Sequence, residues 1–269
     1  MSDLSGKVAV VTGGGGILCS AMSKALAGRG ATAAVVDLNL EAAQKVVDEI
    51  TASGQKAVAV GADVLSRESL LEAAETIHSR CGPVDILVNG AGGNKAEATA
   101  GGEMSFFDIP ADAIQWVFNL NCLGTILASQ VFVRDMVERK AGVVVNIGSM
   151  CGIRPLTRVV SYSAAKAAIA NFTQWLAVHL AQEYSPKIRV NAIAPGFFLT
   201  AQNEYLLIDR QTKKPTPRGE TILAHTPAGK YGVPEDLLGT LLWLVSDESA
   251  FVSGTIIPVD GGFAAFAGV

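Results

Sequence analysis

Three residues in the second half of the chain carry side chains that can exchange a proton with a bound oxygen atom. Tyr162 and Lys166 are four positions apart in a long helical pattern, Ser161–Glu183, so the phenol and the ammonium lie one turn apart on one face. A phenol of pKa about 10 is a poor base at neutral pH, and an adjacent cation favours the phenolate. Ser149 can hydrogen-bond the same oxygen. The pattern predicts general acid–base chemistry at a hydroxyl or carbonyl oxygen.

A glycine-rich turn near the amino terminus is typical of a nucleotide site. The predicted strand Val8–Val11 leads through Thr12 into four glycines, Gly13–Gly16, and a helical pattern follows. Glycines let the backbone approach a pyrophosphate, and the helix presents free N–H groups at its positive dipole end. We expect the cofactor to contact Gly13, Gly15, Gly16, Ile17 and Leu18.

Asp37 ends the second predicted strand, about 20 residues after the glycines, where an acidic side chain binds the adenosine ribose hydroxyls. Its charge repels a 2′-phosphate, and the glycine turn supplies no Lys or Arg in compensation. NAD is therefore favoured over NADP. Asp37 can also cap the helix that begins near Leu38–Glu41, and one residue can serve both roles. With NAD bound, Tyr162 would exchange its proton while hydride moves to or from nicotinamide.

Apolar runs alternate with helical patterns along most of the chain. The predicted strands are Val8–Val11, Thr32–Val36, Ala57–Val60, Ile86–Val88, Val143–Ile147, Arg189–Ala192 and Thr255–Pro258, and helices are predicted at Ile17–Ala27, Leu40–Ala52 and Arg67–Arg80. Buried strands separated by helices indicate a parallel sheet covered on both faces. The sequence predicts a single-domain α/β Rossmann fold over residues 1–269, with a doubly wound parallel seven-stranded sheet.

Two long connections leave the carboxyl ends of predicted strands, where ligands bind in open α/β sheets. They are Gly90–Pro110 and Ala194–Gly219. The second is polar and charged from Gln202 to Glu220, and we interpret the segment around 197–220 as a lid over a polar substrate. A solvated insertion is the alternative.

The composition narrows the classes of partner. Hydrophobic residues make up 49% of the chain and charged residues 17%, with a formal charge of −4, which allows a large core and argues against a nucleic-acid surface. No signal peptide and no uninterrupted apolar stretch of about 18 residues are recognised, so we expect a cytoplasmic protein that does not span a membrane. The four cysteines form no CxxC pair and the three histidines lack ligand spacing, which predicts free thiols and no metal site.

These motifs occur in the order typical of the short-chain dehydrogenase/reductase family, and the chain resembles that family over essentially its whole length. Further matching motifs are Ala62-Asp63-Val64, Asn89-Gly90-Ala91-Gly92, Asn121, Asn191 with Pro195-Gly196, and Val259-Asp260-Gly261-Gly262. The resemblance implies an NAD-dependent oxidoreductase acting on CH–OH groups, with Asn121, Ser149, Tyr162 and Lys166 as its catalytic set. It also implies a homotetramer, and the helices around Trp116–Met136 and Ala164–Leu180 are apolar enough for a two-fold interface.

The resemblance assigns further residues to the cofactor. Asp63 and Val64 would meet the adenine, and Lys166 would hold the nicotinamide ribose. Asn121 would hold a water that links Lys166 to solvent. The remaining assignments are a sheet-stabilising Asn89, a turn beside the cofactor at Gly90, Ala91 and Gly92, and a nicotinamide contact at Thr200, which follows Pro195 and Gly196.

Two parts of the family pattern are altered. The family's glycine loop has the form T-G-x-x-x-G-x-G, and aligned on Thr12-Gly13 its last two glycines fall at Ile17 and Cys19. The second residue of the family's Asn-Asn-Ala-Gly turn is Gly90. Either Gly15 and Gly16 form a slightly different turn, or the affinity for the cofactor is lowered.

A narrower resemblance, to the sugar-acid branch that interconverts D-mannonate and D-fructuronate, is suggested by the glycine loop and by four other segments. These are residues 93–98, residues 154–158, residues 195–200 and the ending Val259–Val269. A sugar acid carries a carboxylate, for which arginine is well suited. The substrate candidates are Asn94, Lys95, Arg154, Arg158, Gln202 and Asn203. A reductase of another carbonyl (a polyol, keto-sugar or 3-oxoacyl substrate) and a non-catalytic NAD-sensing protein are the alternatives.

Overall fold

A parallel β-sheet of seven strands forms the centre of the molecule. The computed structural model describes residues 3–101, 104–200, 204–209 and 211–268. The strands are β1 (Val8–Thr12), β2 (Thr32–Asp37), β3 (Ala57–Gly61), β4 (Ile86–Asn89), β5 (Gly142–Ile147), β6 (Ile188–Pro195) and β7 (Ile256–Val259). Their spatial order is β3-β2-β1-β4-β5-β6-β7, and all neighbours are parallel. The predicted doubly wound sheet is confirmed.

Helices cover both faces of this sheet. They are α1 (Ile17–Ala27), α2 (Leu40–Ala52), α3 (Arg67–Cys81), α4 (Ala111–Phe118), α5 (Gly124–Glu138), α6 (Val160–Glu183), α7 (Glu204–Leu207), α8 (Pro217–Ala224) and α9 (Leu238–Leu244). The predicted bounds of α1 and α2 agree with the structure, and α3 is one residue longer. The largest difference is in β6, predicted as Arg189–Ala192. It continues to Pro195 because its last four residues, all buried, pair with β7.

Alternate residues of the strands face opposite sides of the sheet and pack in separate hydrophobic clusters. In β1, Val10 packs in the layer that contains Phe132 of α5, whereas Val11 packs in the layer that contains Met22 of α1. All four side chains are at most 1% exposed, and complete burial of side chains of this size contributes about 1.5–3 kcal/mol each. This double layer fixes the carboxyl ends of the strands, which carry the candidate site.

The strand order reverses between β1 and β4. Thr12 at the end of β1 pairs in register with Asn89 at the end of β4. The glycine turn after β1 and the turn after β4 therefore lie side by side. A crevice at such a reversal is the usual ligand site of open α/β sheets.

The helical stretch Ala111–Glu138 is long and apolar enough to cross a membrane, with a mean hydropathy of 1.4 over its best window. More than half of that window, 56%, is buried inside the fold. Helix α4, a π-helical turn at Asn119–Leu123 and α5 follow one another within this stretch. A buried core helix can be equally long and apolar. We therefore interpret this stretch as part of the core.

The segment interpreted as a lid is folded in its described part. Helices α7 and α8 pack together, and an isolated antiparallel bridge joins Ile208 to Pro215. Thr216 caps α8 by accepting a hydrogen bond from the Gly219 amide, and its own amide donates to the Leu207 carbonyl. The function of this segment as a lid stays a prediction.

Candidate active site

Ser149, Tyr162 and Lys166 come together beyond the carboxyl end of β5. Ser149 begins a short helical turn, Met150–Gly152, and its hydroxyl accepts a hydrogen bond from the Cys151 amide. Tyr162 lies in the first turn of α6, and its hydroxyl hydrogen-bonds with Ser149. The Lys166 ammonium lies 5.6 Å from the centroid of the Tyr162 ring and donates to the Ile147 carbonyl at 2.8 Å. The predicted grouping of the three side chains is therefore present.

The electrostatics of this group differ from the expectation. Burial raises the pKa of Tyr162, the nearby Cys151 thiol raises it further, and the hydrogen bond with Ser149 opposes them without reversing the direction. Burial also lowers the pKa of Lys166 to about 8. Burial thus disfavours the charged forms of both side chains, and the prediction that the adjacent lysine favours the phenolate stays a prediction. The chain by itself favours a protonated tyrosine, the proton donor in the reducing direction.

Asn121 lies in the π-helical turn between α4 and α5 and is completely buried. Its amide nitrogen donates to the carbonyls of Val117 and Gly93, and its amide oxygen accepts from the Gly93 amide. A Cβ atom on Gly92 would lie 2.6 Å from that oxygen and 3.3 Å from the Lys166 nitrogen. Asn121 therefore anchors the turn after β4 beside Lys166. Its predicted part in holding a water stays a prediction.

The glycine turn is fixed by Asp37 through the main chain. Gly13 adopts a positive φ of 64°, a conformation that favours glycine. The two carboxylate oxygens of Asp37 accept from the amides of Gly15 and Asn39, at 3.0 and 2.9 Å. The side chain that caps α2 is Asn39, through the Ala42 amide, so the suggestion that Asp37 caps this helix is wrong. A carboxylate has about four lone-pair sites, which leaves acceptors for a ribose.

The residues of this turn fit a dinucleotide. Gly16 is the N-cap of α1, no side chain caps that end of the helix, and its first turn contains no acidic residue. The Ile17 side chain is exposed and Leu18 is not buried. An uncapped helix end with backbone donors is the arrangement that binds a pyrophosphate.

The other predicted cofactor residues line the same edge of the sheet. Asp63 accepts from the Leu65 amide, and Val64 is buried against Gly124. Asn89 donates to Ser129 and Asn146, and so joins β4 to β5 and α5. Gly90 and Ala91 donate to the Thr12 hydroxyl, Pro195 ends β6, Gly196 packs against Asp260, and Thr200 precedes α7.

Two of the three altered positions of the family pattern, Cys19 and Gly90, lie against each other. Cys19 is 5% exposed, and a Cβ atom on Gly90 would overlap its sulfur and lie 2.8 Å from the Thr12 carbonyl oxygen. The missing side chain at position 90 thus leaves the space that Cys19 fills. Burial raises the pKa of this thiol to about 12, so it stays protonated. Whether the altered turn binds the cofactor as predicted is tested by the affinity for NADH.

The substrate candidates are more scattered. Asn94 donates to Thr99, and the Lys95 ammonium lies 5.0 Å from the centroid of the Trp116 ring. Arg154 is exposed and Arg158 lies over Gly101. Gln202 and Asn203 fall outside the described residues.

The sequence patterns do not single out Arg218, which is half-buried in the first turn of α8. Burial lowers the pKa of its guanidinium, and the Arg158 cation lowers it further. The sequence feature at this position is Thr216-Pro217-Arg218, a motif typical of a helix start, within the segment predicted to be a lid.

The sequence predicts free thiols and no metal site. All four cysteines are free thiols, as predicted: Cys19, Cys122 and Cys151 are buried and Cys81 is partly buried. Among the described residues, no group of three or more His, Cys, Asp or Glu side chains is arranged to hold a metal ion.

Comparison with known proteins identifies the family. The profile of the short chain dehydrogenases matches residues 7–211. The uncharacterized oxidoreductase UxuB of Bacillus subtilis (strain 168) is 50% identical, and the alignment covers 99% of this chain and 98% of that protein. A 2-dehydro-3-deoxy-D-gluconate 5-dehydrogenase of Formosa agariphila is 35% identical, over 99% of this chain and 96% of that protein. The chain belongs to the short-chain dehydrogenase family.

A solved structure supports this membership. A candidate D-mannonate oxidoreductase from Haemophilus influenza, solved with bound NAD, superposes with a TM-score of 0.94. It is 47% identical, and the match covers 99% of this chain and 98% of that one. The protein is accordingly an oxidoreductase that acts on alcohol and keto groups.

Proposed function

We propose that this protein is an NAD(H)-dependent oxidoreductase that interconverts the secondary alcohol and ketone of a sugar acid, with D-mannonate and D-fructuronate as its substrate pair. The observation that carries the reaction type is the Ser149–Tyr162–Lys166 group beside the glycine turn. The similar H. influenza structure, named for D-mannonate and solved with NAD, supports the substrate and the cofactor.

The cofactor assignment depends on the two turns that meet at the strand reversal. The amides of the first turn of α1 would bind the pyrophosphate, and Asp37 would accept hydrogen bonds from the adenosine ribose. Lys166, at the Gly92 turn, would hold the nicotinamide ribose. Bound NADH supplies the hydride.

The side chains of the protein itself carry out the proton transfer. Tyr162, held protonated by burial, donates its proton to the substrate oxygen as the ketone is reduced, and Ser149 hydrogen-bonds the same oxygen. The nearby Lys166 ammonium stabilises the phenolate left behind. In the direction of oxidation, the same residues carry the proton in reverse.

Asp37→Ala tests the choice of cofactor. We expect a weaker affinity for NADH and a relaxed discrimination against NADPH, because a ribose acceptor and a repulsive charge are lost together. Loss of the hydrogen bond to Gly15 also loosens the glycine turn. Dissociation constants for both nucleotides, from fluorescence titration of wild type and variant, measure this. A wild-type enzyme that turns over NADPH faster than NADH would overturn the role assigned to Asp37.

The substrate is tested by a panel of keto compounds with NADH and NADPH in parallel. We expect the highest kcat/KM with D-fructuronate and NADH. D-Fructose is the matched neutral control, and 5-keto-D-gluconate tests a second keto acid. A clear preference for 5-keto-D-gluconate, D-fructose or a 3-oxoacyl thioester would refute the proposed substrate and retain the oxidoreductase. Absence of any NADH turnover across the panel would favour the NAD-sensing alternative.

We also propose that the protein works as a homotetramer in the cytoplasm. Large apolar side chains are exposed on two neighbouring helical stretches, namely Trp116, Phe118 and Leu123 on the one and Trp175 and Val178 on the other. Association of these faces between copies would remove them from water.

A further inference from the structure

A series of buried side-chain hydrogen bonds joins α5 to α6 through two central strands of the sheet. Asn89 of β4 donates to the Ser129 hydroxyl of α5 at 2.9 Å and to the amide oxygen of Asn146 of β5 at 2.8 Å. The Asn146 amide nitrogen in turn donates to the Thr173 hydroxyl of α6 at 2.9 Å. All four residues are at most 3% exposed. A buried polar group is costly unless it is paired, so these bonds favour one arrangement of the four elements.

The link between Asn146 and Thr173 reaches the helix that carries the catalytic group. Thr173 lies about three turns after Tyr162 and about two turns after Lys166, so the three side chains share one face of α6. Asn146 directly precedes Ile147, whose carbonyl accepts from the Lys166 ammonium at 2.8 Å. Two consecutive residues of β5 therefore hold α6 at two points, one through Thr173 and one through Lys166.

The other end of the series reaches Asn121. The Ser129 hydroxyl donates to the Thr125 carbonyl at 2.8 Å, and the Thr125 hydroxyl donates to the Asn121 carbonyl at 2.9 Å. The Asn121 side chain binds the Gly93 main chain, in the turn beside Lys166. The series thus connects the two parts of the fold that meet at the ammonium, namely α6 and the turn after β4.

The position of the Lys166 ammonium depends on this framework. Lysine carries its charge on a flexible four-carbon stem, and its hydrogen bond among the described residues is the one to the Ile147 carbonyl. The ammonium is thereby anchored on β5, whereas the Tyr162 ring, 5.6 Å away at its centroid, is carried by α6. The separation of the two groups therefore depends on where α6 lies against β5.

We propose that Asn146 and Thr173 are positioning residues for the proton transfer: their hydrogen bond fixes α6 against β5 and so keeps the Lys166 ammonium beside the Tyr162 phenol. Both side chains are completely buried, so neither touches the substrate. The inference rests on the proposed role of Tyr162 as the proton donor, and it does not depend on which keto compound is the substrate. A small displacement is sufficient, since a misplacement of about 1 Å can cost about 100-fold in rate.

Thr173→Val tests this role, because valine keeps the shape of threonine and removes the hydroxyl that accepts from Asn146. Steady-state kinetics use NADH and the substrate of the keto panel that has the highest kcat/KM. We expect kcat to fall about 10- to 100-fold, with KM for the keto substrate changed by less than about threefold. Thr173→Ser keeps the hydroxyl and should retain kcat within about threefold of wild type. Thr173→Cys, whose thiol is a weak acceptor, replaces Thr173→Val if that variant does not fold.

A general loss of stability is distinguished by Leu180→Ala. Leu180 is a buried residue of the same helix, and its side chain takes no part in the series of hydrogen bonds. Its truncation leaves a cavity in the core, so Tm should fall at least as far as in Thr173→Val, whereas kcat should remain that of wild type.

Asn146→Ala and the double variant Asn146→Ala/Thr173→Val complete a double-mutant cycle. Because both substitutions remove the same hydrogen bond, the double variant should be no slower than the slower of the two single variants. Losses in kcat that multiply would show that the two residues act separately.

The outcomes separate this inference from the function on which it rests. Wild-type kcat in Thr173→Val, an equal loss in Leu180→Ala, no recovery in Thr173→Ser, or multiplying losses in the double variant would each overturn the positioning role. The proposed function fails if Tyr162→Phe keeps more than about a tenth of wild-type kcat or if the panel shows no NADH turnover, and the inference then falls with it. If Tyr162→Phe is inactive and Thr173→Val behaves as wild type, the inference is wrong and the function stands.

Discussion

Replacing Tyr162 by phenylalanine is expected to lower kcat by about 10³- to 10⁴-fold, the upper range for loss of a general acid. The phenylalanine keeps the ring that lies beside the Lys166 ammonium and removes only the oxygen that hydrogen-bonds with Ser149. The affinity for NADH should therefore be nearly unchanged. The effect should appear in kcat and kcat/KM equally, because the proton transfer is made only in the transition state.

Single-turnover kinetics measure the rate of the chemical step, and a fluorescence titration measures the affinity for NADH. The two effects are thereby separated. Ser149→Ala is the companion variant, since it removes the second hydrogen bond to the substrate oxygen and keeps the proton donor. We expect a smaller loss in Ser149→Ala than in Tyr162→Phe. A Tyr162→Phe enzyme that keeps more than about a tenth of wild-type kcat would refute general acid catalysis by this residue.

Replacing Lys166 by methionine is expected to reduce turnover severely and to weaken the binding of NADH. The ammonium lies beside both the Tyr162 ring and the Gly92 turn, so one substitution removes the cation that stabilises the phenolate and the predicted ribose contact. In Tyr162→Phe, by contrast, only turnover should fall. A Lys166→Met variant with wild-type affinity for NADH would contradict the contact with the ribose.

The Lys166→Met substitution should also change how the free energy of unfolding depends on pH. Burial lowers the pKa of Lys166 from 10.5 to about 8, so between these values the unfolded chain binds a proton that the folded chain does not. The free energy of unfolding of wild type should therefore rise with pH across that window, by up to about 3 kcal/mol, relative to Lys166→Met. Denaturant unfolding of both proteins from pH 7.5 to 10 measures the difference. A difference that is independent of pH would show that burial does not lower the pKa of Lys166.

Much of the fold follows from local sequence patterns. The glycine turn, the Tyr162–Lys166 spacing and the apolar strands each depend on residues close together in the chain, and the structure confirms these elements. The end of β6 was missed because burial by distant elements, and not local propensity, extends the strand through Pro195.

The features of the candidate site that the sequence does not predict depend on contacts between distant segments. The direction of the Tyr162 pKa is set by burial, which the spacing of Tyr and Lys does not reveal. The fit of Cys19 against Gly90 joins two positions 71 apart in the chain, each of which taken alone is only a departure from the family pattern.

That contact constrains the order in which the two positions could change during evolution. A side chain at position 90 and a cysteine at position 19 require the same space, so a chain with both would have a displaced glycine turn. Loss of the side chain at 90 leaves a small gap, which an ancestor tolerates more easily. We therefore expect glycine at 90 to be tolerated with or without Cys19, and a side chain at 90 to be tolerated better when position 19 carries a residue smaller than cysteine.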